Sequence, residues 1–159
     1  NFMGNELGHI REWDENRALD WELLESEAHR KFHLFRKALN EVYLDTRALW
    51  ERDFEETGFR WLNCHEEEKN IYLFVRKGKK ETVLAVFNFS DTAQTQFEVS
   101  FELLKEFMNG IPKKLELLIG SEEERFGGTG ELGCTTYAIT NGSVKMDIAA
   151  CSGYLFRCR

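Results

Sequence analysis

Residues 4–21, GNELGHIREWDENRALDW, hold the densest set of groups in the chain that could do chemistry. Trp13 and Trp21 stand beside Asn5, Glu6, Asp14, Asn16 and Asp20, so flat apolar faces alternate with hydrogen-bonding side chains. That mixture suits carbohydrate, because aromatic rings cover the C–H faces of a sugar while carboxylates and amides take its hydroxyls. Composition alone fits equally well with both tryptophans anchoring the segment to a core. Carboxylates are plentiful (Glu6, Glu12, Asp14, Glu15, Asp20), and paired acids are what glycoside chemistry needs. Spacing along the chain cannot place two of them about 5–9 Å apart around a glycosidic bond.

Other catalytic sets are missing. The chain has no Ser/His/Asp order, no G-x-S-x-G elbow, no P-loop and no dinucleotide fingerprint. Gly127-Gly128-Thr129-Gly130 is glycine-rich but lies between strand patterns with no helix after it, so it reads as a loop. His29 and His33 are four apart and can share a helical face, yet nothing nearby supplies the third ligand of an H-E-x-x-H metal site. The four cysteines (Cys64, Cys134, Cys151, Cys158) form no C-x-x-C pair and read as reduced, mostly half-buried small hydrophobes. Neither a metal nor an organic cofactor is expected.

The chain has 159 residues, enough for one domain or one domain with a short appendage. A formal net charge of −7 leaves no basic footprint for nucleic acid. No apolar run approaches the roughly 18 residues of a membrane span, and no charged-then-apolar leader is present. The expectation is a soluble, cytoplasmic protein without nucleic-acid or membrane partners. The runs Glu66-Glu67-Glu68 and Glu122-Glu123-Glu124 read as solvated turns. The chain opens at Asn1 without Met, which points to part of a longer protein.

The elements that must position the opening residues come next. From Glu27 to Asp45, Phe32, Phe35, Leu39, Val42 and Tyr43 mark one apolar stripe of a helix, with Ser26 as its N-cap. A shorter helical turn spans Thr46–Arg52. After Gly58 the period becomes two, and stretches near 59–63, 71–76, 82–89, 95–101, 114–119, 135–140, 144–149 and 154–157 read as strands. Asn141-Gly142 is a strong hairpin signal. Residues 82–89 (TVLAVFNF) are apolar on both faces, as in a central strand. Residues 102–112 read as a loop or short helical insert. Strands at such spacing indicate a mainly β protein, an antiparallel β-sandwich.

FMGNELGHIREWDENRALDWELL, at residues 2–24, resembles the stretch that ends the catalytic barrel of bacterial 1,4-α-glucan (glycogen) branching enzymes, members of the α-amylase superfamily. Later landmarks agree in order: Leu39-Asn40 with Tyr43, Ala48-Leu49, Asp53, Gly58-Phe59 with Trp61, Phe74 with Arg76 and Gly78, Asn88-Phe89, and Phe126-Gly127-Gly128. The resemblance spans nearly the whole chain and is most specific in its first 24 residues. It departs at Leu7, His9, Ala149-Ala150 and Phe126, where relatives often carry Phe, Gln, Pro-Pro and Tyr.

The resemblance implies that residues 1–57 are a remnant of a (β/α)8 barrel: the end of the last strand at 1–5, the loop above it at 6–25, and the last helix. Residues 58–159 would be the superfamily's C-terminal all-β domain. The active site of such a barrel lies at the carboxyl ends of its strands. The resemblance therefore gives Asn5, Glu6, Trp13, Asp20 and Trp21 a role in lining the path of an α-glucan. It assigns no catalytic residue here, because the family's catalytic acids lie on earlier strands. The parent enzyme would cleave an α-1,4-glucan and pass the chain to a 6-hydroxyl by double displacement. This piece would support the barrel and be inactive alone. Two rivals are a stand-alone carbohydrate-binding module and a structural interaction domain. For the first, Trp61 is the obvious strand tryptophan, but its place after Gly58-Phe59 favours packing; for the second, the apolar stripe of the helix at 27–45 is the face that needs a partner.

Overall fold

A computed structural model describes residues 2–66, 69–130 and 134–159. Residues 2–25 are turns with two short 3-10 segments, Asn5–Leu7 and Trp21–Glu25. The strand end expected at 1–5 does not appear among residues 2–5. Gly4, at φ 89°, and the 3-10 turn after it bend the backbone away from an extended path. Helix α1 (Glu27–Asp45) follows, and 3-10 turns at Arg47–Leu49 and Glu56–Gly58 lead onward. The strands described are β1 (Phe59–Glu66), β2 (Ile71–Lys77), β3 (Thr82–Asn88), β4 (Gln94–Ser100), β5 (Lys114–Gly120), β6 (Thr136–Ala138), β7 (Ser143–Ile148) and β8 (Ser152–Cys158). Between β4 and β5, the stretch expected as a loop or insert holds a 3-10 turn, Glu102–Leu104, and the short helix α2 (Lys105–Met108).

Six strands form one antiparallel sheet in the order β1-β2-β3-β8-β5-β6, and β4 pairs with β7 in a second. Alternation explains the layers. Ile71, Leu73 and Val75 of β2 are buried, as are Val144, Met146 and Ile148 of β7, while the residues between them are not. These side chains meet Leu84, Val86, Tyr154 and Phe156 in one core cluster. Each fully buried aliphatic or aromatic side chain stabilises the fold by about 1.5–3 kcal/mol. On β3, Val83 and Ala85 are buried as well. The Arg47–Leu49 turn packs against β2 and β3 on that flank, and α1 packs against β5. This second cover is why the strand reads as apolar on both faces.

Helix α1 starts at the expected residue, but by a different device. Ser26 has extended backbone (φ −76°, ψ 136°) while its hydroxyl makes no capping bond. The preceding carbonyls of Leu24 and Glu25 instead accept hydrogen bonds from Arg30 Nη1. No residue of α1 is fully buried. Its apolar stripe is only partly covered: Phe35 meets Phe126 edge-on at 5.3 Å, whereas Phe32 and Tyr43 stay exposed.

Asn141 and Gly142 both take positive φ (51° and 78°), the geometry of a tight hairpin turn. The turn closes only the isolated bridge Thr140↔Ser143, because β6 pairs with β5 and β7 with β4. It carries the chain from one sheet to the other. The run Glu122–Glu124 departs from a merely solvated turn. Glu123 Oε1 accepts the Gly120 N–H and Glu122 Oε2 accepts the Thr129 N–H, so both carboxylates shape the glycine-rich loop. A Cβ on Gly128 would lie 2.3 Å from the Glu122 backbone, which is why glycine stands there. Glu67 and Glu68 of the other run lie outside the described residues. The free cysteines Cys134 and Cys151 are exposed and only Cys158 is half-buried, which corrects the expectation of mostly half-buried thiols; the Cys64 side chain lies outside the described residues. Among the described residues no helix is long and apolar enough to cross a membrane.

Candidate functional site

Both glycines of the opening G-x-x-x-G lie in the left-handed region, Gly4 at φ 89° and Gly8 at φ 66°. They bracket the single turn Asn5–Leu7 and point Leu7 inward, where it is fully buried. A side chain at Gly4 would strike the His9 ring, with Nδ1 only 2.6 Å from a Cβ. Helix α1 holds the turn from below. His29 Nδ1 hydrogen-bonds the Leu7 carbonyl at 2.7 Å, and His33 Nδ1 bonds that of Glu6 at 3.1 Å. The shared helical face of these histidines thus serves to clamp backbone, since each ring places Nδ1 on a loop carbonyl.

The far end of the loop closes on Asp20. Arg11 reaches it in a fork, Nε to Oδ2 at 2.8 Å and Nη2 to Oδ1 at 2.8 Å, and Nη2 also donates to the Ala18 carbonyl at 2.8 Å. Such bidentate, charge-assisted pairs are among the stronger side-chain contacts. Arg11 beside it holds the Asp20 carboxyl below the usual carboxylate range, chiefly through those hydrogen bonds and against a smaller opposing effect of burial. The Asp20 N–H donates to His9 Nε2 at 3.0 Å. That bond puts the proton of a neutral His9 ring on Nδ1, a buried atom without a hydrogen-bond partner among the described residues. Asp14 makes a local turn by accepting the Asn16 N–H at 2.9 Å, and this bond lowers its pKa.

Of the residues expected to line a glucan path, Asn5 and Trp13 come together in one open cavity of about 340 Å³, with Phe2, His9, Arg11 and Glu12 in its walls. Trp13 is 39% exposed and is propped by the edge of Phe2 at 5.4 Å. Asp20 lies behind this wall and acts on it through Arg11 and His9. Glu6 and Trp21 do not line the cavity; Glu6 contributes its carbonyl to His33, and Trp21 is 56% exposed at the start of its 3-10 turn. His9, Arg11, His29 and His33 are the residues that sequence reasoning missed as organisers. Only the four-residue spacing of the two helical histidines gave any signal.

A second concentration of aromatic surface lies on the large sheet. Phe59 and Trp61 of β1, Tyr72 and Phe74 of β2, and Phe87 with Phe89 at the end of β3 form a continuous chain of ring contacts. Trp61 is 46% exposed there, so it packs edgewise on Phe59 and Phe74 while keeping an open face.

The family described as Alpha amylase, C-terminal all-beta domain matches residues 61–158. The 1,4-alpha-glucan branching enzyme GlgB of Aquifex aeolicus (strain VF5) is 39% identical over 138 residues, 83% of this chain and 20% of that protein. The enzyme of the same name from Desulfitobacterium hafniense (strain Y51) is 35% identical over 131 residues, 81% of this chain and 20% of that protein. The chain thus spans about a fifth of the length of these curated relatives. Among solved structures, the debranching enzyme from Nostoc punctiforme superposes with a TM-score of 0.59 at 18% identity, covering 98% of this chain and 27% of that one. An Anoxybacillus alpha-amylase gives 0.58 at 17% identity, again over 98% of this chain and 27% of that one. At such identities these two likenesses speak to the fold alone.

Proposed function

Since the chain belongs to the α-amylase C-terminal all-β domain family, we propose that it serves as the C-terminal region of a 1,4-α-glucan branching enzyme. In this reading, residues 1–57 are the last part of a catalytic barrel and residues 58–159 its β-sandwich support. The whole enzyme cleaves an α-1,4-glucan and passes the released chain to a glucan 6-hydroxyl, in the cytoplasm. The observation that carries the reading is the identity of 35–39% to branching enzymes over more than four-fifths of the chain.

The opening loop's part in this function is to present a surface. Trp13 and Asn5 offer a ring face and an amide to passing glucose units, and the Arg11–Asp20 fork keeps that wall in shape. Asp20 spends its carboxylate on Arg11, so it positions the wall and leaves sugar hydroxyls to Asn5 and Glu12. Glu6 and Trp21 reach glucan only further along the loop. The catalytic acids belong to the rest of the enzyme, and the chain alone forms no branches.

The test is an iodine-stain branching assay with three proteins: the chain alone, the Aquifex aeolicus relative, and that relative with its matching region replaced by this chain. The expected pattern is inactive, active, active. Branching by the chain alone, or a folded but inactive chimera, overturns the reading.

A second reading, a stand-alone carbohydrate-binding sandwich, is favoured by the open face of Trp61. It requires the isolated chain to be retarded in gels containing amylose and the Trp61→Ala variant to run free. Equal mobility of the two excludes it.

A further inference from the structure

A cleft of about 610 Å³ opens on the flank of the sandwich remote from any role given above, between the Arg47–Leu49 turn, the β2–β3 turn and the end of β8. Arg47, Lys79, Lys80, Arg157 and Arg159 line it, against the carboxylates of Glu51 and Glu81. This is a concentration of positive charge in a chain whose formal net charge is −7.

The two acids offset only two of these five cations, and the scaffold holds both of them in place. Glu51 Oε1 pairs with Arg47 at 3.0 Å, and its Oε2 accepts the Lys79 N–H at 2.8 Å. Glu81 Oε1 accepts the Ala48 N–H at 3.3 Å, and its Oε2 lies 3.4 Å from Arg157 Nε. These bonds lock the β2–β3 turn against the Arg47–Leu49 turn. The Gly78 N–H and the Glu81 carbonyl close the β2–β3 turn itself at 2.9 Å. A Cβ at Gly78 would stand 2.9 Å from Glu51 Oε2 and 3.1 Å from the Ala48 Cα, so the glycine lets the two turns meet.

The result is a rigid floor with cations left over. Arg159 has its own partner in Glu116 at 2.9 Å. Among the described residues, the ammonium groups of Lys79 and Lys80 have no ion pair, and both residues are exposed on the fixed turn. With Arg47, Arg157 and Arg159 paired, these two lysines leave two uncompensated positive charges at the cleft. A singly charged carboxylate matches such a surplus poorly, whereas a phosphate brings nearly two charges and several acceptor oxygens. The basic surface is one cleft rather than a stripe, which does not suit a nucleic acid.

We propose that this cleft binds a small phosphate-bearing molecule, with its phosphate on Lys79, Lys80 and the outer guanidinium nitrogens of Arg157. The site is independent of glucan, so its test uses none. The 159-residue chain is titrated at low ionic strength with inorganic phosphate, glucose 6-phosphate and neutral glucose, following amide resonances and the thermal midpoint. Both phosphates are expected to shift amides of residues 47–51 and 78–81 and to raise the midpoint, and glucose to do neither. Tighter binding of glucose 6-phosphate identifies an ester as the ligand, and equal binding identifies the free ion.

The double variant Lys79→Ala/Lys80→Ala should weaken binding about tenfold or more, since charge-assisted hydrogen bonds are lost. Lys80→Glu should abolish it, and Lys37→Ala on α1 should leave it unchanged. Both turn lysines are exposed, so these variants keep the fold. Absence of shifts in those segments, undiminished affinity in the double variant, or an equal response to glucose overturns the proposal.

Discussion

The carboxylate of Asp20 receives three hydrogen bonds from Arg11 across nine residues of loop, two at 2.8 Å and one at 3.2 Å, and the Asp20 N–H is tied to His9. The opening segment is therefore closed on itself before it touches anything else. Arg11 lowers the Asp20 pKa. A depressed folded-state carboxylate pKa contributes stability that is present above the unfolded value and fades as pH falls through the folded one. The protection of amides 9–21, measured against their intrinsic exchange rates, should thus fall in acid, below the ordinary carboxylate range, while that of β2, β3 and β8 persists. Asp20→Asn should give the lowered protection already at neutral pH and remove the acid-linked drop in it. Unchanged protection in that variant would show that the fork does not hold the loop.

The clamp on α1 gives a second measurable consequence. His29→Ala removes the bond to the Leu7 carbonyl, and a lost hydrogen bond of this kind costs about 1 kcal/mol of local opening free energy. The expected readout is faster exchange at Leu7 and Gly8 with an unchanged urea midpoint for the sandwich. Leu7→Ala empties a fully buried position, so it should cost about 2–5 kcal/mol in the same local opening. If either change lowered the sandwich midpoint equally, the loop and the sandwich would be one cooperative unit.

These contacts show where the sequence was readable. Strands with one buried face announce themselves, as Ile71, Leu73 and Val75 do on β2, because alternation is a property of each strand by itself. Helix α1 was equally plain from its stripe. Pairing was not, since it depends on partners distant in the chain. Asn141-Gly142 predicted a hairpin of β6 with β7, yet those strands belong to different sheets and share one bridge. Residues 2–5 are likewise not extended here: an extended segment needs a neighbour to bond, and no strand described here adjoins them. In the opening loop, residue types pointed to Trp13 and Asn5, which share a cavity. They could not show that Asp20 is held by Arg11, because a carboxylate nine residues from a guanidinium has no required geometry until the loop folds.

Asn88 uses all of its polar atoms at the end of β3. It is 1% exposed; its Nδ2 donates to Thr92 and Ala149 carbonyls at 2.9 and 2.8 Å, and its Oδ1 accepts from Ser90 N–H and Oγ. Asn88→Ala strands these groups at the end of β3, and a cost of about 2–4 kcal/mol in urea unfolding is expected. Asn88→Asp keeps the shape and the acceptors but loses both donors and adds a buried charge, so it should do at least as badly. A neutral effect of either would mean that water takes over these partners.

Cysteine chemistry separates the thiols by place. Cys158 packs against the core cluster between β3 and β5, where burial pushes its thiol up to about 12. Since the thiolate is the reactive form, a thiol raised this far carries almost none of it in the native protein near pH 8. Cys134 and Cys151 are exposed. Iodoacetamide at pH 8 followed by peptide mapping should label those two and spare Cys158, with labelling of Cys158 appearing only as urea unfolds the sandwich. Mapping reads each cysteine separately, so the behaviour of Cys64 does not affect the comparison. The Cys158 labelling rate then reports opening of the β3–β8–β5 seam, and rapid labelling in the native protein would mean that this seam is not closed at the end of β8.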